Sequence, residues 1–562
     1  MMARTVFCRA AERAKAAVAA ALFCAAGVPA AGFEAAVADP MEWLYADSTV
    51  AGAVRMAEID VPANGVVDAN ILVEGLEPGA EVKVSAEPAA GAEWYAMRAI
   101  PVKRNTGVRG FLEAKPGQNP HVARRAPFEV FDILEPLKPA APGAAAVAAP
   151  GRMAAFRFRS ARPAGAAPYT LRFKVSHRGA ERELALKVNV WKAKLPPVGK
   201  DSFKYVNWIS EACIARTHGL EIWSEEFWAM LDKYFALAAS GRQNMLRLQV
   251  LEMDADGRSR LDGARMERLL ALCGRHGFWY LCGPHLAGFS NGWGSPTFYA
   301  RGTTNVTTTD AGALAIARAA RQLHAAIEKY GLRDRWYQHV ADEPGGKNVS
   351  EYRITAGIVR RYMPGVRTVD AVEEPSFAGA MDVWCPKVDS FERNRAKYDV
   401  YRRDFGDSVW CYTCCVPGGK WMNRTLDGEL LRPALIPWGA TMYGIDGFLH
   451  WGFNCWQQDQ DPFKEPYPKK WGGANNGNSL PPGDTHIVYP GPDGPWPSVR
   501  LESTRSGMED ADLLLALRGK DPARADAVTR MAVRGFADYA KTCPEYRKAR
   551  KALLEAVSDT IK

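Results

Sequence analysis

Two periodicities divide the chain. From about residue 33 to 194, apolar and polar positions alternate in short runs, such as 80–86, 152–159, 169–177 and 183–191, separated by Gly- and Pro-rich turns. Leu184, Leu186, Val188 and Val190 occupy every second position, which turns one face of that strand onto a core. Repeated over several strands, the pattern predicts an N-terminal antiparallel β-sandwich over 33–195. The Pro-, Ala- and Gly-rich stretch 136–151 reads as a loop within it. Leu195-Pro196-Pro197 cannot continue a hydrogen-bonded ladder and ends the region.

Beyond that boundary, short apolar runs alternate with amphipathic helical patterns, as parallel βα units do. Eight strand segments stand out, at 203–209, 244–250, 277–282, 336–341, 367–371, 382–385, 408–413 and 447–453. Eight is the number that closes a (β/α)8 TIM-type barrel, predicted here over 200–506. An open doubly wound sheet is the alternative, disfavoured because no glycine-rich phosphate loop follows the first segment. Ser224 before Glu225 and Glu226 marks one helix start, and Asp310 is read as the cap of a long helix that stops at Gly331. From 507 to 562, Leu513, Leu514, Leu517, Val528, Met531 and Phe536 recur at helical spacings, which predicts a C-terminal helical segment packed on the barrel.

The first thirty-two residues follow another logic. Arg4, Arg9, Arg13 and Lys15 precede an apolar run over 16–27 and then small residues, the pattern of a signal peptide cleaved near Ala30 or Gly32. The run is shorter than the ~20 residues that cross a bilayer, and it ends at Pro29, so no stable transmembrane anchor is implied. Phe23 before Cys24 is a poor fit to a lipid-attachment site. The expectation is export, to the periplasm or outside the cell.

The 562 residues, 47% hydrophobic and 24% charged, are those of a folded multidomain protein. The net charge of +9 falls to about +6 once the four basic residues and Glu12 of the leader are removed, and the remaining basic residues are interspersed with acids. Without a basic stripe, nucleic-acid binding is not implied. Nine of eleven cysteines lie beyond the leader. Cys411, Cys414 and Cys415 resemble a metal motif but lack a second ligand pair at zinc-finger spacing, so buried thiols or one local disulfide is the reading, with no metal and no cofactor.

The sharpest chemical feature is Trp336-Tyr337-Gln338-His339-Val340-Ala341-Asp342-Glu343-Pro344, an apolar strand ending in two acids. Residues at the C-terminal ends of barrel strands face the mouth where active sites are built. Asn207, Trp208, His285, Trp384, Tyr412, Trp451 and Asn454 fall at other predicted strand ends. Aromatic faces for C–H surfaces and fixed polar groups for hydroxyls suit a sugar. Ordinary retaining glycosidases set two carboxyls about 5–5.5 Å apart across the scissile bond, which neighbouring residues seldom do. Adjacent acids make sense where the substrate's own 2-acetamido oxygen is the nucleophile.

These residues resemble glycoside hydrolase family 123, whose characterised members are retaining β-N-acetylgalactosaminidases. The resemblance rests on Asp342-Glu343-Pro344, on the block from Gly444 to Trp456 (GIDGFLHWGFNCW), and on DTHIVYPG from Asp484 running into SVRLE from Ser498. It implies a β-sandwich followed by a barrel. It also implies Asp342 as the residue that orients the acetamido group and Glu343 as general acid, then base. The expected activity is exo-hydrolysis of terminal β-N-acetylgalactosamine from a glycolipid, mucin or glycosaminoglycan-derived glycan. The alternatives are a β-N-acetylglucosaminidase or hexosaminidase, a polymer-acting aminosugar hydrolase, and a non-catalytic secreted carbohydrate-binding protein. Oligomeric state is not legible.

Overall fold

A computed structural model describes residues 32–561 apart from 90, 162, 255–257, 373 and 469–478. The expected signal peptide lies outside the described residues but for residue 32.

The front of the chain forms two sheets. One holds, in order, Glu34–Ala38, Val67–Glu74, Met153–Ser160, Ala92–Val102 and Phe128–Pro136, all antiparallel. The other holds Glu58–Pro62, Ala180–Trp191, Tyr169–His177, Glu81–Glu87, Ala144–Ala148 and Pro139–Ala141. Ile71, Phe156 and Phe158 of the first meet Val82, Phe173, Val175, Leu186 and Val188 of the second in one buried cluster. Leu184 and Val190, half-buried, flank it as the alternation predicts.

Two expectations need correction. Glu58–Pro62 pairs parallel with Ala180–Trp191, because it arrives from the other sheet and no hairpin constrains its direction. The stretch 136–151 is not all loop: Ala144–Ala148 pairs antiparallel with Glu81–Ser85, and Pro139–Ala141 forms the edge beside it. Small alanine side chains hide the pattern, and Pro139 is tolerated because that edge needs no further donor.

Each of the eight predicted strand segments contains a parallel strand. They are β1 (Lys204–Asn207), β2 (Met245–Arg247), β3 (Tyr280–Cys282), β4 (Trp336–Gln338), β5 (Arg367–Val372), β6 (Val383–Pro386), β7 (Cys411–Thr413) and β8 (Gly447–His450). β2 to β6 pair in chain order, with the short strand Ser408–Val409 beside β6. β1, β8 and β7 form a second parallel ladder. Trp410 alone separates Ser408–Val409 from β7. Between β1 and β2 side chains supplement a single backbone bond, Asn244 N–H to the Tyr205 carbonyl (3.3 Å): Tyr205 N–H donates to Asn244 Oδ1 (2.9 Å) and Asn207 N–H to Gln243 Oε1 (3.1 Å).

Helix ends follow local chemistry. Ser224 caps Glu225–Ser240 as read, its hydroxyl accepting from Phe227 N–H. The cap of Asp310–Lys329 is Thr309, whose hydroxyl accepts from Gly312 N–H at 3.2 Å, with Asp310 the first helical residue. The C-terminal helices begin earlier than 507. Ser498 caps Val499–Arg518, a helix buried along most of its length although it carries Arg500, Glu502, Arg505, Glu509 and Asp510. Its charges are paired inside the protein, which is why no polar face marks its start. Arg500 meets Asp132 of the front sheet (2.9 Å), and Arg505 meets Glu502 (2.7 Å), Glu509 and Asp68 (both 2.8 Å). Removing one partner of such a buried pair strands a charge at a cost of about 3–5 kcal/mol. Arg500 also donates to the carbonyls of Gly483 (2.6 Å) and Arg424 (3.2 Å), so the front sheet and this helix together fix the loop that carries Asp484. No helix among the described residues is long and apolar enough to cross a membrane.

Candidate active site

The chain leaves β4 through His339, Val340 and Ala341 and reaches Asp342 and Glu343. Asp370, in the middle of β5, holds this exit in place. Its carboxylate accepts the N–H groups of Val340 (3.0 Å) and Ala341 (3.2 Å), the Nδ1–H of His339 (3.0 Å) and the hydroxyl of Tyr352 (2.7 Å). Burial pushes the Asp370 carboxyl up, while the bonds from His339 and Tyr352 oppose that shift. A fully buried carboxylate in an apolar strand is costly unless so satisfied.

Successive side chains of a strand point to opposite faces, but the β4 ladder ends at Gln338, before either acid, and the backbone turns at Glu343, which takes a left-handed φ of 44°. Strain of that kind, about 1–3 kcal/mol, persists where surrounding contacts over-determine it. Glu343 Oε1 accepts the Tyr412 hydroxyl from β7, and Oε2 accepts the indole N–H of Trp293 at 2.9 Å. The Asp342 carboxyl is pushed well above the usual carboxylate range by burial first, then by the charges of Glu343 and Asp370, with Arg247 pulling the other way. Arg247 ends β2, its guanidinium 4.2 Å above the Trp208 ring.

Several buried polar atoms here have no protein partner: Trp208 Nε1, His285 Nε2, Arg247 Nε and Asp484 Oδ2. Buried polar groups in folded proteins normally find a partner in the protein, in water or in a ligand. His285 Nε2 lies 3.8 Å from Asp342 Oδ1, and burial with the nearby charges of His339 and Arg247 keeps its imidazole neutral. Asp484 takes the Trp451 indole N–H on its other oxygen (3.3 Å), and burial raises it to about 7 against the pull of Arg424.

Of the residues singled out in the sequence, His285 and Tyr412 lie against the two acids, Trp208 packs on His285, and Trp451 donates to Asp484. Asn207 and Asn454 are spent on the frame. Asn207 bonds to Tyr205, Gln243 and Arg424, and the Asn454 side chain pairs with both backbone groups of Ser210. Trp384 is not brought to the site. It faces the helix Val388–Phe405, stacking on Tyr401 (4.8 Å) and donating to Asp407 (2.8 Å). Sequence reasoning passed over Asp370, Arg247, Trp293 and Asp484. For Asp370 and Arg247 a signal existed, a charge set inside an apolar strand; Trp293 sits in a Gly-rich loop and carried none.

His285, His339 and Asp370 have the donor types and proximity to hold a metal ion. The lone pairs of Asp370 already receive four donors, so the trio is better described as a hydrogen-bonded support beneath Asp342. The nine cysteines among the described residues are free thiols, with Cys414 and Cys415 sulfurs 4.0 Å apart.

Residues 208–517 match the family model described as glycoside hydrolase 123, catalytic domain. No curated protein matches the chain in sequence. Among solved structures, the chain is similar in fold to a family 123 glycoside hydrolase from Clostridium perfringens, described in terms of glycolipid glycan hydrolysis. The TM-score is 0.66 at 13% identity, covering 94% of this chain and 98% of that one. A Bacteroides ovatus family 5 xyloglucanase aligns more distantly, at 9% identity and TM-score 0.31 over 84% of this chain and 100% of that one. An endo-β-1,4-mannanase from Thermotoga petrophila does so at 12% and 0.33 over 57% and 78%.

Proposed function

Since the chain belongs to glycoside hydrolase family 123, we propose that it is a retaining exo-glycosidase that removes terminal β-linked N-acetylgalactosamine with help from the sugar's own acetamido group. The observation that carries this reading is the pair Asp342 and Glu343, adjacent in sequence just past the end of β4, with the backbone turned at Glu343; both carboxyls face one pocket in this reading. In it, the two parallel ladders close as a (β/α)8 barrel over about 200–506, behind a β-sandwich over 33–195 and with the helical segment packed against it. The eight parallel strands and the side-chain bridge between β1 and β2 support that closure.

The chemistry follows from the geometry. Asp342 accepts the acetamido N–H, which points the carbonyl oxygen at the anomeric carbon. That oxygen attacks as Glu343 gives its proton to the departing glycosidic oxygen. The ring so formed is cationic, and the Asp342 carboxylate offsets its charge in a site poor in water. Both the N–H bond and the cation favour ionised Asp342, against the burial that raises it. Glu343 then takes a proton from water, which opens the ring from the face the leaving group left and retains configuration. Trp208, His285, Trp451 and Asp484 supply the stacking faces and partners for the sugar's hydroxyls. A glycolipid glycan is the favoured substrate, on the strength of the Clostridium perfringens relative, and export is part of the reading, on the strength of the basic-then-apolar leader.

A panel of glycans ending in N-acetylgalactosamine or N-acetylglucosamine, glycolipid oligosaccharides included, tests this. The expected product is free N-acetylgalactosamine, appearing first as the β anomer by NMR. Release of oligosaccharides alone, or of the inverted anomer, would overturn the proposal, and N-acetylglucosamine release alone would move it to a hexosaminidase.

A further inference from the structure

The antiparallel hairpin Ala287–Phe289 and Phe298–Ala300 carries a tip, Ser290-Asn291-Gly292-Trp293-Gly294-Ser295-Pro296-Thr297, whose Trp293 reaches Glu343. Its base is built: Ser290 Oγ bonds to the hydroxyls of Ser295 and Thr297 (both 2.8 Å), and Asn348 donates to the Ser295 carbonyl at 3.0 Å. Its apex is a glycine turn closed by Ser295 N–H on the Gly292 carbonyl (3.2 Å), with Gly292 and Gly294 at left-handed φ of 85° and 78° and open space around both. Between them Trp293 is 61% exposed, far more than a large aromatic side chain is normally left, its ring tilted against Phe289 with centroids 5.1 Å apart.

What this tryptophan touches is informative. Glu343 Oε1 is occupied by Tyr412, so Oε2 is the oxygen left to serve the leaving group, and the Trp293 N–H sits on it. A glycosidic oxygen that comes to Oε2 must displace that N–H. The indole then lies on the side of Glu343 from which the leaving group extends, with its face exposed. We infer that Trp293 is the specificity residue for the leaving-group side, yielding Oε2 to the glycosidic oxygen and stacking its ring on the C–H face of the penultimate sugar, so that glycan chains are preferred over small aglycones. The inference rests on the assignment of Glu343 as the acid, and it goes beyond that assignment in naming what is recognised past the scissile bond.

Two arms test it. In the active enzyme, Trp293→Ala lowers kcat/KM about tenfold on an N-acetylgalactosaminyl-β-galactose disaccharide and leaves β-N-acetylgalactosaminyl fluoride, which has no sugar beyond the bond, within about twofold. Trp293→Phe, which keeps a ring and loses the N–H, recovers most of the disaccharide rate. Equal losses on both substrates, or a Phe variant no better than Ala, overturn the inference. In the second arm calorimetry follows binding to Glu343→Gln protein. Adding Trp293→Ala weakens the disaccharide about tenfold and leaves free N-acetylgalactosamine unchanged. Unaltered disaccharide affinity, or none to begin with, also overturns it. If the wild type hydrolyses neither substrate, the functional reading fails, and the binding arm alone decides the role of Trp293.

Discussion

Replacing Asp342 by Asn lowers kcat/KM by about 10³-fold, or ~4 kcal/mol of barrier, on an aryl glycoside and a natural glycan alike. Asn can still accept the acetamido N–H, so the loss is chiefly that of negative charge beside a ring becoming cationic. Ring closure precedes or accompanies departure of any leaving group, which is why both substrates suffer. The pH profile carries a second signature. Burial, Glu343 and Asp370 push the Asp342 carboxyl well above the ordinary range. Only its ionised form works, so protonation on the acid side removes activity, and the raised position moves that loss to higher pH than an ordinary aspartate would show. In Asp342→Asn the residual rate has no acid limb from this group.

Glu343→Gln separates substrates that Asp342→Asn treats alike. A glycan leaving group departs as an alcohol only if protonated, and a positioned acid contributes about 10²–10⁴-fold. The natural glycan is therefore slowed about 10³-fold, while a nitrophenyl glycoside, whose phenolate leaves with little help, stays within about tenfold. The amide keeps an acceptor for Tyr412 or Trp293, so the fold is undisturbed, and circular dichroism melts of the two proteins should coincide. Equal slowing of both substrates would contradict the role given to Glu343.

Sequence periodicity located the eight segments that carry β1 to β8, because a short apolar run between helical patterns survives any local detail. It did not say which side chain of each strand end turns inward. Trp208 and Trp384 look alike on paper, yet one lies beside His285 and Arg247 and the other packs against Tyr401 on the helix side. Register within a strand flips the face at every residue, and no composition signal marks it. The acids were legible since an apolar strand ending in Asp-Glu is unusual in itself. Their supports were not: Asp370 is recognisable only once the N–H groups of Val340 and Ala341 are seen to converge on it. The charges of the helix Val499–Arg518 carried no signal of burial either: Arg500 and Arg505 are enclosed only because Asp132 and Asp68 arrive from the front sheet.

The central claim is that the nucleophile belongs to the substrate. Its most direct measurement is kcat/KM for nitrophenyl β-galactosaminides whose N-acyl group is acetyl, fluoroacetyl, difluoroacetyl or trifluoroacetyl. Each fluorine draws electron density from the carbonyl oxygen that must attack the anomeric carbon, with little change in size. The account predicts a monotonic fall of about a hundredfold across the series, ~3 kcal/mol in the barrier. Rates that stay flat across the four substrates would contradict it, and would place the nucleophile on the protein or on water.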